Sequence, residues 1–282
     1  MSIADPAADL RPLTTVMPAR EYLAAMWARR DFAVALPFEE VRSTHQDTLL
    51  GNLWHLANPM LSVAVYYLVF GVMLDVSRGI DNYILFLMVG VFVFNLTTRC
   101  VLGGATAISA NQGLMRSIRF PRALLPFSVI MSKLYTFAFE LIVIAAVAIA
   151  TGEGVGLRWL LLPAIVVLHS GLNLGGALIA ARLNDSFRDV QQIIPFVFRL
   201  LMYLSGVMFP LEQFLTSDRA GNLLPTLIRL NPLIGIIDMY RYVFMGMPVY
   251  DGDLLKGVVG AVAILVFGFW YFRTAESRYG RS

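Results

Sequence analysis

Long apolar runs alternate with short polar stretches along the whole chain. Six runs are close to the length a helix needs to cross the hydrocarbon core of a bilayer, roughly 20 residues. They cover residues 55–74, 83–102, 124–150, 157–181, 190–209 and 254–272. The third is long enough to tilt or to begin outside the core. The pattern predicts an all-α integral membrane protein with six transmembrane helices.

Three stretches outside these runs carry their own pattern. Residues 1–20 contain proline and balanced charge but no apolar segment, so they read as a flexible cytosolic N-terminus and not as a secretory signal. Residues 21–54 begin with EYLAAMWARRDFAVALPF, which spaces Leu23, Met26, Trp27 and Phe32 among charges. That spacing suits an amphipathic helix lying on the membrane interface. Residues 211–253 are apolar but broken by Pro225 and by Asn231–Pro232, and each piece is too short to span. Two short helices that dip into the outer leaflet and return fit this pattern, a re-entrant hairpin before the last span. Residues 55–272 thus form one transmembrane domain, and 273–282 a cytosolic tail.

Polar residues inside the runs are not scattered. At about 100° per residue, Gln192, Phe196, Arg199, Tyr203 and Gly206 share one stripe of the fifth run. Ile194, Val197, Phe198, Leu201, Leu204 and Met208 fill the opposite face, which suits lipid. In the first run Asn58, Ser62, Tyr66 and Phe70 form an i, i+4 row. Rings stack on the apolar faces of sugars, and amide, hydroxyl and guanidinium groups hydrogen-bond their hydroxyls. The two stripes are therefore candidates for a glycan conduit, with ordinary helix packing as the alternative. Arg199 has a second alternative: Glu140 lies at a similar depth in the third run and can form a buried ion pair with it. Arg99 falls near the inner end of the second run, where it can snorkel to the interface. Asp238 and Arg241 stand i, i+3 and can pair with each other.

Charge sets the orientation. With the N-terminus inside, thirteen of the 22 Lys and Arg residues fall on the inner side, six outside and three within spans. This bias places both termini in the cytoplasm. Composition agrees with a multi-pass protein of the plasma membrane, with 58% hydrophobic residues, 15% charged and a mean hydropathy of +0.69. No basic run interleaved with aromatics is present, which argues against a nucleic-acid partner. The segment NQGLMRSIRFPRALLP sets Arg116, Arg119 and Arg122 among Leu114, Met115, Ile118 and Phe120. It reads either as plain inner-side anchoring or as a docking element for a cytosolic partner.

Several chemistries are missing. The chain has no Gly-Lys dipeptide, hence no phosphate-binding P-loop, and no G-x-S-x-G. His45, His55 and His169 form no metal-ligand spacing with each other or with the lone Cys100. His169 and Asn173, one turn apart, suit hydrogen bonding between helices better than catalysis. No cofactor is expected in this chain, and energy for uphill transport must come from a partner or an ion gradient.

Four blocks in order carry a resemblance: TLLGNLWHLANPMLSVAVYYLVFGVM, LMRSIRFPRALLPFSVIMSKL, RLNDSFRDVQQIIPFVFRLLMYLSGVMFP and LNPLIGIIDMYRYVFMGMPV. Together they resemble the ABC-2 type permeases of lipid-linked polysaccharide exporters, and the overall cast is most similar to mycobacterial galactan exporters. Where that family carries a basic, tyrosine-containing run before the first span, this chain has Thr44–Thr48, THQDT, with Arg42 and His45 nearby. The resemblance implies a homodimer bound to two copies of a separate ATPase subunit, which holds ATP and Mg. It implies contacts to that subunit from Leu114, Arg116, Arg119, Phe120 and Arg122 and from residues 21–38. It also implies a conduit along the first and fifth spans, and an outer exit shaped by Asn231, Pro232, Asp238 and Arg241. The substrate implied is a glycan on a lipid pyrophosphate, galactan first. Teichoic acid, O-antigen or a small amphiphile is the alternative within the family. An intramembrane glycosyl or acyl transferase is the alternative outside it.

Overall fold

The computed structural model describes residues 18–29, 54–76, 79–118, 120–210, 228, 230–249, 251–276 and 279, and among them every regular element is helical. The helices are α1 (Ala19–Ala28), α2 (Trp54–Tyr66), α3 (Tyr83–Ala110), α4 (Gln112–Ser117), α5 (Leu124–Ala150), α6 (Leu162–Ser186), α7 (Val190–Leu204), α8 (Pro232–Met245) and α9 (Asp251–Arg273). A π-helical turn, Tyr67–Met73, continues α2, and a 3-10 turn, Leu157–Leu161, leads into α6. Five of the helical stretches are long and apolar enough to cross a membrane; Val190–Leu204 is the shorter sixth.

α3 sits at the centre of the bundle. The Asn82 side chain caps it, accepting from the Leu85 amide at 3.3 Å, which satisfies one of the free donors at the helix start. Its 28 residues rise about 42 Å at about 1.5 Å each. It therefore runs two turns beyond the expected end at residue 102. α2, α5, α6, α7 and α8 all pack on it, and α9 packs on α6 and α8. The central contacts use small residues where backbones meet. A Cβ on Gly104 would collide with Ala177 of α6, and one on Gly268 of α9 would collide with the Gly175 carbonyl of α6. This is how membrane helices gain close van der Waals packing without a hydrophobic drive.

The fifth span departs from expectation. Its helix stops at Leu204 after 15 residues, about 22 Å, short of the roughly 30 Å hydrocarbon core. Gly206 has φ +66°, the left-handed conformation that closes a helix. Ser205–Met208 continue without helical structure and are buried. Pro195 inside the helix removes one more backbone bond.

The re-entrant segment is described in its second limb, α8. Asn231 caps it by accepting from the Leu233 amide at 3.0 Å, and Pro232 takes the first helical position, where its missing N–H is no loss. Leu233, Ile236, Ile237, Tyr240, Val243 and Phe244 are all buried. α8 is thus part of the bundle core. The first limb, residues 211–227, lies outside the described residues.

Candidate functional site

The two expected stripes lie on neighbouring helices. Tyr66 of α2 points its hydroxyl at the Met202 sulfur of α7, 3.8 Å away. Its phenol lies within electrostatic range of Tyr203 and Arg199. Within α2 the Ser62 hydroxyl donates to the Asn58 carbonyl at 3.0 Å. Asn58 is exposed, and Ser62, Tyr66 and Phe70 are half-buried.

α7 is oriented by a set of apolar residues that meet protein. Phe198 packs edge-on against Phe94 of α3, with ring centroids 6.0 Å apart. Ile194, Phe198 and Leu201 pack against buried core residues, and Met208 is itself buried. Most of the face expected to meet lipid is therefore the docking face, while Val197 of that face is exposed beside Ile193 and Leu200. Gln192, Phe196, Arg199 and Tyr203 turn away from the bundle, with Phe196 68% and Tyr203 43% exposed. The Arg199 guanidinium lies 5.6 Å from the Phe196 ring centroid.

Arg199 does not meet Glu140. Glu140 is held by Arg99, whose Nη2 donates to its two carboxylate oxygens at 2.7 and 2.9 Å. The Glu140 side chain is 2% exposed and that of Arg99 is 27% exposed. Two features correct the expectation. α3 extends to Ala110, so Arg99 lies within the helix and not near its end, and its guanidinium is held by Glu140. α3 and α5 pack directly, which brings the two charges together across 41 residues.

Arg99 belongs to a face that sequence reasoning missed. Between Leu85 and Ile108 the only positions of α3 that are not buried are Asn95, Thr98, Arg99, Leu102, Gly103 and Thr106. The open face of this helix is its polar face. It lies between α7, which covers Phe94, Val101 and Ala105, and α5, whose Val129 abuts Gly103. On α5 the corresponding exposed positions are Tyr135, Phe139, Ile142 and Ile149, and on α9 they include Leu255, Val259, Val266 and Trp270. Those faces are suited to lipid. The spacing 95, 99, 102, 106 was the signal available in the sequence.

His169 and Asn173 lie fully inside. His169 Nε2 and the Thr97 hydroxyl form a hydrogen bond of 2.7 Å, and the Tyr240 hydroxyl lies 3.5 Å from Nδ1. Phe137 and Tyr240 set their rings edge-on around the imidazole. Both polar atoms of the Asn173 amide are buried without a protein partner.

At the end of α7 three side chains fasten the non-helical segment, two of them through its carbonyls. Arg241 Nη2 donates to Gly206 O at 2.8 Å and to Val207 O at 3.2 Å. Its guanidinium lies 3.4 Å above the Phe86 ring centroid. The Tyr83 hydroxyl donates to Met208 O at 2.8 Å, and Asn231 Nδ2 to the Ser205 hydroxyl at 2.8 Å. The expected Asp238–Arg241 pair is present only at 3.4 Å, and the α7 carbonyls are the closer partners. Arg241 is 4% exposed; a buried cation at a helix C-terminus satisfies both the free carbonyls and the dipole.

At the opposite end of the bundle, the arginine-rich end, Leu114, Met115 and Phe120 pack against a second core of Tyr22, Ala107, Ile108, Phe272 and Tyr279. Arg116 is exposed, and Arg122 is half-buried and reaches Glu276. Arg119, Arg42, His45 and residues 30–38 lie outside the described residues.

A family model described as ABC-2 type transporter matches residues 35–245. The chain is 27% identical over 242 residues to the O-antigen export system permease protein RfbA of Myxococcus xanthus, covering 86% of this chain and 91% of that one. It is 26% identical over 251 residues to the protein of the same name from Klebsiella pneumoniae, covering 88% and 93%. It is 24% identical over 255 residues to the polysialic acid transport protein KpsM of Escherichia coli, covering 86% and 92%.

Proposed function

This chain belongs to the ABC-2 type transporter family, and on that premise we propose that it is the membrane permease of an ATP-driven polysaccharide exporter. It moves a lipid-pyrophosphate-linked glycan out of the cytoplasm across the plasma membrane, with both termini in the cytoplasm. Galactan is the substrate drawn from the sequence resemblance. The names of the O-antigen relatives favour an O-antigen-type chain as the second reading. Two copies of the permease work with two copies of an ATPase subunit, which supplies the P-loop this chain lacks.

One observation carries the reading: Gln192, Arg199 and Tyr203 lie on the face of α7 turned out of the bundle, among the exposed Ile193, Phe196, Val197 and Leu200. An arginine at the centre of a lipid-facing helix costs at least about 2.5 kcal/mol on insertion scales. Gln192, Arg199 and Tyr203 therefore face water or another protein. A second copy set against this side would enclose the α7 stripe, the α2 row Asn58–Ser62–Tyr66–Phe70 and the open face of α3. The enclosed surface would alternate rings with hydroxyl, amide and guanidinium groups. Such weak and repeated contacts let a polymer slide, as conduction requires. Leu114, Arg116, Arg119, Phe120 and Arg122 face the ATPase subunit, and Asn231, Pro232, Asp238 and Arg241 hold the exit.

The experiment uses inverted vesicles containing the chain and its ATPase subunit, with lipid-linked glycan in the outer leaflet. ATP should drive the glycan into the lumen, and Tyr66→Glu or Tyr203→Glu should stop this while the complex still assembles. Export that survives both substitutions rules out the α2–α7 conduit.

A further inference from the structure

Three segments far apart in sequence converge on one carboxylate at the arginine-rich end. Glu276 follows the last turn of α9 and is half-buried. Its Oε1 accepts from the Tyr22 hydroxyl of α1 at 2.7 Å and from the Arg122 amide at 3.0 Å. The Glu276 carbonyl accepts from the Arg122 guanidinium. The Tyr22 oxygen in turn accepts from the Ala123 amide at 3.1 Å. Burial, then the Glu276 charge, raises the Tyr22 phenol pKa far above its usual value, so the hydroxyl keeps its proton and remains a donor.

Apolar packing surrounds this knot. The Tyr22 ring is 3% exposed and meets Phe269 edge-on at 5.9 Å. Arg273 lies 4.9 Å from the Tyr22 ring centroid. Tyr279 folds back, donating to Phe272 O at 2.9 Å, with its ring tilted at 36° to that of Phe272 and the centroids 4.7 Å apart. Hydrogen bonds to a carboxylate in a setting shielded from water are the strong kind.

The segment that Arg122 and Ala123 belong to links α4 to α5. α9, which ends at the knot, packs backbone-to-backbone on α6 through Gly268 and Gly175, and α6 packs on α3 through Ala177 and Gly104. No flexible side chain lies between these helices at those points. A displacement of the α4–α5 link therefore reaches the centre of the bundle without being absorbed on the way.

We propose that Glu276 is a positioning residue for energy coupling, binding α1, the α4–α5 link and the end of α9 into one rigid body that transmits ATPase motion to α6 and α3. The inference rests on the reading above only in that an ATPase subunit docks on this end. Glu276 itself touches no substrate.

The test uses the assembled complex of chain and ATPase subunit. Spin labels go on Trp27→Cys in α1 and Gly113→Cys in α4; both positions are exposed, and Cys100 is buried and does not compete. With Glu276 present, the label distance should stay the same on addition of ATP. With Glu276→Ala it should broaden or shift, and the ATP hydrolysed per glycan exported should rise at least about tenfold. Glu276→Gln keeps the accepting oxygen and should restore both readings; Tyr22→Phe should give an intermediate ratio. Label distances that change with ATP in the intact protein, or hydrolysis and export that fall in parallel in Glu276→Ala, overturn the proposal. If the unaltered complex exports no glycan while the label distance behaves as described, the substrate assignment fails and the coupling role stands. Should Glu276→Ala not fold, a bifunctional thiol cross-link between Trp27→Cys and Gly113→Cys, with Glu276 in place, decides the matter. Locking the two must leave ATP-driven activity intact, and a lock that abolishes it overturns the rigid body.

Discussion

α7 and α9 are both attached to the bundle on one side, and they turn opposite kinds of surface outward. α9 buries Gly257, Ala261, Gly268 and Phe272 and exposes Leu255, Val259, Val266 and Trp270. α7 packs Ile194, Phe198 and Leu201 against buried core residues and exposes Gln192, Arg199 and Tyr203 among Ile193, Phe196, Val197 and Leu200. α7 is amphipathic at the helical period, whereas α9 is apolar on both its faces. What differs is the medium each outer face requires. For α9 that medium is lipid tails; for α7 it is water, a sugar or a second protein.

Two arginines sharpen the contrast, since Arg241 belongs to the packed side and Arg199 to the open one. Replacing Arg241 with Gln should have the largest effect on folding. It frees the Gly206 and Val207 carbonyls in a buried setting and should cost about 3 kcal/mol, seen as a drop in melting temperature in detergent. Next come Glu140→Gln and Arg99→Gln. Each leaves one charge of the α3–α5 pair without its partner, and the double substitution should recover about 1–3 kcal/mol of the summed loss. Additive losses would mean that the pair is not an energetic unit. Arg199→Gln should move stability by no more than about 0.5 kcal/mol, yet lower glycan export several-fold. A melting shift as large as that of Arg241→Gln would show that the outer face of α7 is packed. Smallest of all, Leu255→Ala on α9 should leave export unchanged, since that face looks at lipid. Export that depends on Leu255 would erase the distinction between the two helices.

The spans were legible because apolar length is a local property of the sequence. So were the stripes on α2 and α7, because helical periodicity needs only the order of residues. The side on which a stripe faces is not local. Nothing in residues 190–209 states that Ile194 and Phe198 meet α3, and so the apolar face was assigned to lipid. The Arg99–Glu140 pair was hidden by a boundary: ending the second span at residue 102 puts Arg99 at a helix end, whereas α3 continues for two further turns and Arg99 lies within it, facing α5. Arg241 was read through its nearest acid, Asp238, because i, i+3 pairs are visible in sequence. Its closer partners lie 34 and 35 residues away, on a helix end that Gly206 cuts short. The open polar face of α3 was spelled out at positions 95, 99, 102 and 106. It was masked by the long run of buried apolar residues around it.

α3 meets a different neighbour on each side: α6 through Thr97 and Gly104, α5 through Arg99 and Gly103, and α7 through Phe94 and Val101. One inserted or deleted residue would rotate everything beyond it by about 100° and present each face to the wrong neighbour. Length variation among related chains should therefore collect in the segments between helices and spare α3, whose register must be inherited whole.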